Sequence, residues 1–510
     1  MIKTEMSMKK IFGILAAAAA VLMTASCELD LTPANTLSYD SENLITNETD
    51  LIGFQAGIRA QIRGLEYGVY DWASDVQMDY FNAVNDYGNN GGGIHRSDDT
   101  FSASDYNTRD NWSGPYGAIK NFNILIHGAQ VVPDGLQAKA AIVRGEAYFG
   151  RAMAYLHMVR LFAKPYNTGS STLGMPLVLE YDQSARPERA TVAQTYVAIK
   201  QDLDSAAVLL AGVAGKVGSQ YPTIDAVNAL YARYYLDVAD YGNAASKAMS
   251  VINSSAGYAL SADADAMEEE WINDEGTEPI MQMYASLTEG IGYHSLYQNM
   301  AMDSQEGHGL YYHPYFIPTK ALVEAYDQGD LRKDQWFTTG KPFYASGIWY
   351  DDITVFTKYH GNPTLRSNDI PNAGQAIKPF LISEMYLIAA EAYLASGSTS
   401  EATAQLNVLQ EKRGAEKTVA NEANVQKEWF RETVGEGLRI SCLKRWGLGY
   451  SGRTAQDAAV SGGVVVPGAS YTEKSMAASD FHFQWPVPTY DMQINTNLVQ
   501  NDGYISEPVE

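Results

Sequence analysis

The sequence has few cysteines and few basic residues, and after its first 26 residues it has no long hydrophobic run. Cys27 and Cys442 are the only cysteines among 510 residues, so no disulfide framework supports the fold. Lysine and arginine number 36 against 60 aspartates and glutamates, which gives a net charge of −24. Because a phosphate backbone requires a basic surface, we expect no nucleic acid partner.

Motifs of common catalytic sites are also missing. The chain has no HExxH, no G-x-S-x-G, no P-loop and no GxGxxG before a helix. The closest histidines, His308 and His313, are five positions apart and so fall on different sides of a helix. Asp263 and Asp265 resemble the start of a calcium-binding loop, but Glu268 stands where that loop requires glycine. We therefore expect no catalytic residue, no metal and no cofactor.

Three aspartates recur at four-residue steps, at Asp71, Asp75 and Asp79. On a helix they would share one face. Such a face can hold a hard cation or be solvated, and the solvated interpretation is favoured here.

The N-terminus is typical of a lipoprotein signal peptide. Lys9 and Lys10 precede an apolar run over residues 11–23, and small residues lead from there to Cys27. We predict cleavage after residues 1–26 and lipid attachment to Cys27, since several acyl chains on one residue anchor a domain firmly. The alternative is an ordinary secretory signal followed by a coincidental cysteine.

The rest of the chain is predicted to form a tether and one large domain. Residues 27–47 are polar and are predicted to be the tether, and residues 48–510 the domain. Hydrophobic periodicity predicts helices over much of the domain, whereas strand patterns are few, at 348–359 and 463–466. The predicted single helices cover 48–66, 111–131, 140–162, 190–211, 318–327 and 425–437.

An internal repeat adds two helical hairpins. Segments 226–253 and 383–410 match at a constant offset in sequence, which aligns Ala232 with Ala389 and Ala245 with Ala402. Small residues at these positions let paired helices approach closely, as in stacked tetratricopeptide-like hairpins. The fold class is therefore predicted to be mostly α. The alternative is two unrelated alanine-rich hairpins.

Long stretches without helical periodicity separate these helices. They hold much of the glycine, asparagine and aromatic content, and aromatic residues argue against disorder. We interpret these stretches as ordered binding loops on a helical scaffold. They cover 67–110, 255–317, 338–379 and 447–490.

The order of several segments resembles the SusD/RagB family of outer-membrane nutrient-binding lipoproteins of Bacteroidetes. The segments include WSGPYGAIKNFNILI at 112–126, RGEAYFGRAMAYLHMVRLF at 144–162 and RETVGEGLRISCLKRW at 431–446. The others lie at 189–210, 226–260, 318–332, 384–414 and 485–504. The chain departs from the family where Leu381 replaces an arginine before Glu384, and at Trp429 and Phe430, which puts local ion pairs in doubt.

The resemblance implies a fold and a function. Tetratricopeptide-like hairpins would pack against a loop-rich ligand-binding region, and the protein would face the cell exterior from the outer membrane. It would capture a glycan or oligosaccharide and act as a lid on a SusC-like TonB-dependent transporter, without being an enzyme. Two rivals stay open, namely a protein-binding adaptor or lid with no glycan affinity and a glycoside hydrolase with two suitably spaced carboxylates.

The resemblance also suggests which residues contact ligand. Loop 86–90 combines a tyrosine with flexible glycine and asparagine, so stacking and hydrogen-bonding roles are carried over to Tyr87, Asn89 and Asn90. The alternative is a turn with a buried tyrosine. Other loop aromatics are further candidates, although packing is the favoured interpretation of the cluster near residue 300. These candidates are Trp72, Tyr293, Tyr297 and Tyr311.

Overall fold

The computed structural model describes residues 44–66, 68–289, 291–293, 296–457 and 463–505. The predicted signal peptide, the lipid site Cys27 and nearly all of the predicted tether lie outside the described residues. Ile45–Glu510 form one compact unit. Among the helices of the described residues, none has both the length and the apolar composition that a membrane span requires.

Helices make up most of the regular structure. In chain order they are α1 (Glu48–Gly64), α2 (Val69–Gln77), α3 (Gly92–Arg96), α4 (Tyr106–Gly128), α5 (Gln137–Phe162), α6 (Tyr166–Gly169), α7 (Val192–Leu209), α8 (Ile224–Asp237), α9 (Tyr241–Ile252), α10 (Ala264–Ile272), α11 (Lys320–Val323), α12 (Leu331–Trp336), α13 (Ile382–Ala395), α14 (Thr399–Lys412), α15 (Glu422–Glu432), α16 (Arg439–Trp446) and α17 (Thr489–Ile494).

The strands are short and form small sheets. They are β1 (Phe81–Ala83), β2 (Leu173–Pro176), β3 (Arg189–Thr191), β4 (Pro279–Met281), β5 (Ile291–Tyr293), β6 (Met300–Asp303), β7 (Gly309–Tyr312), β8 (Phe316–Pro318), β9 (Phe337–Thr338), β10 (Phe343–Ala345), β11 (Ile348–Tyr350), β12 (Val355–Phe356), β13 (Gly374–Ala376) and β14 (Phe380–Leu381). The largest sheet has four strands in the order β11, β10, β7, β6.

The internal repeat consists of two stacked helical hairpins, as predicted. Helices α8 and α9 form one hairpin, α13 and α14 form the other, and α9 packs along α13. Ala232 and Ala389 have no exposed surface, which is consistent with close approach of the helices. Thr223 and Asp240 cap α8 and α9 through their side chains, so the hairpin turn is also encoded locally. The prediction of a mostly helical, tetratricopeptide-like fold is confirmed.

A second group of long helices extends this stack. Helix α5 packs between α4 and α7, and α7 in turn contacts α8. The Arg151 guanidinium of α5 donates to both carboxylate oxygens of Asp202 in α7, at 2.6 and 2.8 Å, and both side chains are buried. Thr191 and Gln194 form a capping box at the start of α7. The helical scaffold is therefore continuous from α4 to α14.

Two helices end four or more residues before their predicted ends. The helix predicted at 318–327 is a single turn, α11, and the chain then bends toward α12. The helix predicted at 425–437 is α15, which begins three residues earlier and ends at Glu432. It cannot continue to residue 437 because Gly435 has a φ of +80°, in the left-handed region.

Buried ion pairs join the scaffold to the loop-rich layer. Arg413, after α14, donates to both oxygens of Glu278 at 2.7 and 2.8 Å and also binds Glu432 of α15. Burial alone would raise the pKa of Glu432, but the nearby Arg413 and Arg332 outweigh this and hold that pKa at about 2. The network therefore holds the Glu432 carboxylate ionised inside the protein.

The family departure at Leu381 has a structural explanation. Leu381 is buried, and Glu384 receives its arginine from another helix instead. Arg233 of α8 donates to the two oxygens of Glu384 at 2.7 and 2.8 Å. An ion pair between the two stacked hairpins thus replaces the ion pair that an arginine at position 381 would form with Glu384.

The solvated interpretation of the three spaced aspartates is wrong. Asp75 is fully buried, and its carboxylate accepts a hydrogen bond from the Gly437 N–H at 3.1 Å. Burial raises the pKa of Asp75 to about 7 and raises that of Asp71 well above its usual range. The Asp79 carboxylate accepts hydrogen bonds from Nε and Nη2 of Arg439, each at 2.8 Å. Segment 435–439 packs against α2 and against Asp79, which lies beyond the end of α2, and the spacing of the aspartates does not reveal this packing.

Candidate functional site

The four-stranded sheet has one buried face and one face turned outward. Strands β6 and β7 are antiparallel, as are β10 and β11, and β10 joins β7 in parallel. Because side chains alternate along a strand, every second residue contributes to the same face. The buried face packs against a hydrophobic cluster that includes Val84, Ile317, Val355 and Val465. The residues of this face that belong to the cluster or pack against it are Met300, Tyr312, Phe343, Ala345 and Tyr350.

The outward face carries a group of aromatic rings that we term the aromatic platform, formed by Tyr311, Tyr344, Trp349 and His308. The Trp349 ring lies 5.0 Å from Tyr311 and 4.9 Å from Tyr344, measured between centroids. His308 stacks on Trp349 at 3.8 Å with an interplanar angle of 15°. The three strand aromatics are half-buried and His308 is exposed. Neighbouring rings of this kind offer apolar faces to a ligand ring.

A tight turn fixes the polar edge of the platform. The Asp303 carboxylate accepts backbone N–H bonds from Gln305, Glu306 and His308 at 2.9 to 3.1 Å. The turn brings the Glu306 carboxylate to the indole N–H of Trp349, which donates to it at 2.9 Å. The orientation of Trp349 is therefore set by the adjoining strand and by this hydrogen bond.

Loop 85–90 adjoins the platform. The Asp86 carboxylate accepts a hydrogen bond from the Ser346 N–H, in the turn between β10 and β11, at 2.9 Å. Burial lowers the pKa of His313, two residues beyond Tyr311, while the charge of Asp86 opposes that shift. Asp86 thus lies close enough to both strand ends to connect the predicted binding loop with the aromatic face.

The loop itself presents a polar cluster. The Tyr87 hydroxyl lies 3.3 Å from the Asn89 Oδ1 and 3.0 Å from the Tyr471 hydroxyl. Arg96 donates to Tyr87 and to Asn89 at 2.9 Å, and Asn90 donates from its side-chain amide to the Tyr87 carbonyl at 2.7 Å. Burial, with the hydrogen bond to Tyr471 adding to it, raises the pKa of Tyr87 to about 12, so its hydroxyl is neutral at physiological pH.

A glycine and a tryptophan shape the base of this loop. Gly91 has a φ of +63°, in the left-handed region that favours glycine. A Cβ at this position would lie 2.9 Å from Cζ3 of Trp72. The half-buried Trp72 ring therefore packs beneath the loop, and the loop approaches it as closely as a glycine allows.

The structure places the predicted ligand residues at different depths. Asn89 is exposed, and Asn90 and Tyr311 are half-buried at the surface described above. Tyr87 is 8% exposed and packs near Phe316, so its ring does not provide the predicted stacking face, and its hydroxyl is hydrogen-bonded within the loop.

Tyr297 cannot contact a ligand in this conformation, which corrects its place among the candidates. It has no exposed surface, stacks on Phe81 at 4.4 Å and donates to the Trp72 carbonyl. Its position inside the core cluster is the physical reason. The backbone of Tyr293 pairs with Gly374 between β5 and β13, and its side chain lies outside the described part of the chain.

Sequence reasoning missed Tyr344, Trp349 and His308 as site residues. The segment FYASGIWY at 343–350 alternates between faces around a two-residue turn, in which Ser346 and Gly347 have φ of +50° and +83°. That turn signal, with two adjacent aromatics on either side of it, indicates a hairpin that carries an aromatic pair on each face. The contact of His308 with Trp349 depends on the fold and left no sequence signal.

A second recess lies in the interior, between the scaffold and segment 436–441. It has a volume of about 90 Å³ and is lined by charged and polar side chains, among them Glu66, Asp71, Arg233 and Lys378. Ligand pockets for larger organic molecules occupy roughly 300 to 1,000 Å³. The recess can hold several waters but is too small for an oligosaccharide. Within the described residues, no group of three or more potential metal ligands was found.

These features define a helical-repeat protein that carries an aromatic and polar surface on its loops. The SusD family model matches residues 220–504, and a second model, described as "Starch-binding associating with outer membrane", matches residues 29–236. The chain belongs to the SusD family.

Two curated relatives are similar to parts of the chain. The starch-binding protein SusD of Bacteroides thetaiotaomicron is 29% identical over 127 residues, which cover 24% of this chain and 21% of that protein. The SusD-like protein P2 of Formosa agariphila is 25% identical over 327 residues, covering 59% of this chain and 61% of the relative. The chain thus spans from a fifth to about three fifths of these relatives.

Solved structures share the fold over most of the chain. A SusD superfamily protein from Bacteroides thetaiotaomicron has a TM-score of 0.75 at 22% identity, covering 88% of this chain and 99% of the other. A laminarin-binding SusD-like protein has a TM-score of 0.68 at 19% identity, covering 90% and 100%. Identity at this level establishes the fold alone.

Proposed function

We propose that this protein captures a glycan or oligosaccharide at the cell surface and passes it to a SusC-like TonB-dependent transporter. In this proposal, Cys27 carries the lipid that anchors the protein to the outer membrane, facing the exterior. The protein acts by binding and is not an enzyme. Family membership and the outer-membrane description of the matching family model support this role.

The observation that carries the proposal is the aromatic platform beside a polar loop. Sugar rings have apolar faces that stack on aromatic rings, and their hydroxyls require nearby hydrogen-bonding groups. Tyr311, Tyr344 and Trp349 supply the aromatic part, while Asn89 and Asn90 supply amides at the adjoining loop. The names of two similar proteins specify starch and laminarin as their ligands, which supports a carbohydrate as the class of ligand.

The test is glycan binding by the chain from residue 28 onward, measured by calorimetry against starch, laminarin and oligopeptides. Trp349→Ala should weaken binding about tenfold, because burying part of an indole contributes roughly 1 to 2 kcal/mol. Tyr490→Ala is the matched control, since Tyr490 is 63% exposed on α17 and belongs to neither the platform nor the loop. It should bind like the unchanged protein.

Other outcomes would favour the rival functions. Saturable binding of a purified SusC-like transporter without affinity for any glycan would favour an adaptor or lid. Release of shorter sugars from a bound glycan would show a glycoside hydrolase. Equal losses in Trp349→Ala and Tyr490→Ala would place the binding surface elsewhere.

A further inference from the structure

The fixed charges around the aromatic platform are almost all of one sign. The described segments that border it are 85–90, 303–309 and 341–352. They contain one lysine, Lys341, and five carboxylates, which are Asp86, Asp303, Glu306, Asp351 and Asp352. The whole chain carries a net charge of −24, so the long-range field has the same sign.

Glu306 brings one of these charges to the rim of the platform. Its carboxylate accepts the Trp349 indole N–H at 2.9 Å, and its side chain is 66% exposed. The Nε2 of His308 lies 3.8 Å away. A sugar stacked on the platform would therefore place its ring substituents near an exposed, oriented carboxylate.

Arg96, beside the adjoining loop, does not offset this charge. Arg96 donates to Tyr87, Asn89 and Tyr471, and it lies 3.7 Å from the Asp98 carboxylate. Its guanidinium is thus engaged by partners within the loop and is not presented to an incoming anion.

We propose that the platform selects neutral glycans over glycans that bear carboxylate or sulfate groups, with Glu306 as the specificity-determining residue. This inference rests on the proposed function and names its class of ligand. A neutral sugar can donate hydroxyl hydrogen bonds to the Glu306 carboxylate, which are stronger than bonds to a neutral acceptor. An anionic sugar brings a like charge to the same place, where repulsion opposes binding.

The experiment compares ligands that share one backbone and differ at C6, where a hydroxymethyl group is replaced by a carboxylate. Laminarin and pullulan are each titrated into the chain from residue 28 onward, alongside derivatives whose C6 hydroxymethyl groups are oxidised to carboxylates. This chain contains the whole compact unit Ile45–Glu510. In 20 mM NaCl the neutral form should bind at least about tenfold more tightly. In 500 mM NaCl the difference should fall to about threefold or less, since salt screens exposed charges beyond a few Å.

Glu306→Gln tests the residue itself. Glutamine keeps an acceptor for the Trp349 indole but forms weaker bonds to sugar hydroxyls, so binding of the neutral form should weaken by up to about tenfold, and an unchanged circular dichroism spectrum should report correct folding. The preference for the neutral form should shrink by about threefold or more. Glu416→Gln, which changes another exposed glutamate far along the chain, should leave the preference unchanged.

Each result decides between the claims. A carboxylated glycan that binds as tightly as its neutral parent in 20 mM NaCl would overturn neutral selectivity while leaving glycan capture in place. An unchanged preference in Glu306→Gln would remove Glu306 as its determinant. Failure of both neutral glycans and both derivatives to bind would overturn the proposed function and this inference together.

Discussion

Replacement of the buried Asp75 by asparagine should stabilise the protein at alkaline pH and have little effect at acidic pH. Burial raises the pKa of Asp75 from its usual 3.8 to about 7, although hydrogen bonds from the backbone of segment 435–439 oppose the shift. Below about pH 4 the carboxyl is protonated in both states, so folding carries no ionisation cost. As the pH rises toward 7, only the unfolded chain releases this proton, and the folded state loses stability.

The magnitude follows from the size of the shift. A difference of 7 minus 3.8 is about 3.2 pH units, and at about 1.36 kcal/mol per unit this gives roughly 4 kcal/mol as an upper bound. The side-chain amide oxygen that Asp75→Asn introduces can still accept the Gly437 N–H that Asp75 accepts at 3.1 Å. The free energy of unfolding of the variant should therefore exceed that of the unchanged protein by roughly 2 to 4 kcal/mol at pH 8. At pH 4.5 the two free energies should differ by no more than about 1 kcal/mol.

Urea denaturation of both proteins at pH 4.5, 6, 7 and 8 measures this difference. Glu66, whose pKa burial also raises, titrates in both proteins and so largely cancels in the comparison. The pKa of Asp71, which burial raises first, is also raised by the charge of Asp75, so Asp75→Asn lowers it and adds to the stabilisation at high pH. Asp369→Asn, at an exposed position, should show no pH-dependent gain. A difference between Asp75→Asn and the unchanged protein that stays constant from pH 4.5 to 8 would refute the claim that ionised Asp75 is costly.

Two further predictions concern buried charge and backbone conformation. Arg413→Met should lower the free energy of unfolding by roughly 3 to 5 kcal/mol in urea denaturation. The substitution leaves Glu278 without the arginine that binds both of its carboxylate oxygens, and it removes one of the two arginines that bind Glu432. Lys417→Met, at an exposed ion pair, should change the free energy of unfolding by less than about 1 kcal/mol. Similar losses in the two variants would contradict the claim that the buried ion pairs of Arg413 stabilise the fold. Gly91→Ala should lower the unfolding free energy by about 1 to 3 kcal/mol, because a methyl group combines a φ of +63° with a contact 2.9 Å from Trp72. An unchanged melting temperature in that variant would show that the loop moves away at no cost.

Much of the scaffold could be predicted from the sequence because its signals are long. The repeat of 226–253 in 383–410 extends over about seven turns of helix, and the spacing of its alanines directly reports close helix packing. Caps such as Thr191 with Gln194 mark helix starts within four residues. These signals are local, so a single sequence contains them.

The candidate site was predicted only in part because its contacts are not local. Loop 86–90 was found from its composition, but the same composition fits the packed Tyr87 ring and the predicted stacking ring equally well. The strands of the platform have three or four residues each, too few for a periodic pattern to stand out. Asp75 shows the same limit, since its burial depends on a segment 362 positions away.

The hydrogen bond from Ser346 to Asp86 spans 260 positions of the chain. Contacts of such long sequence separation form late, since the intervening chain must be ordered before they become favourable. The proposed binding surface is thus assembled only when the first and later parts of the domain have both folded. A glycan bound there, as proposed, would stabilise the whole domain rather than one loop, so a rise in melting temperature with glycan concentration would measure occupancy directly. Under that proposal the chain acquires affinity for a glycan only once folding is complete.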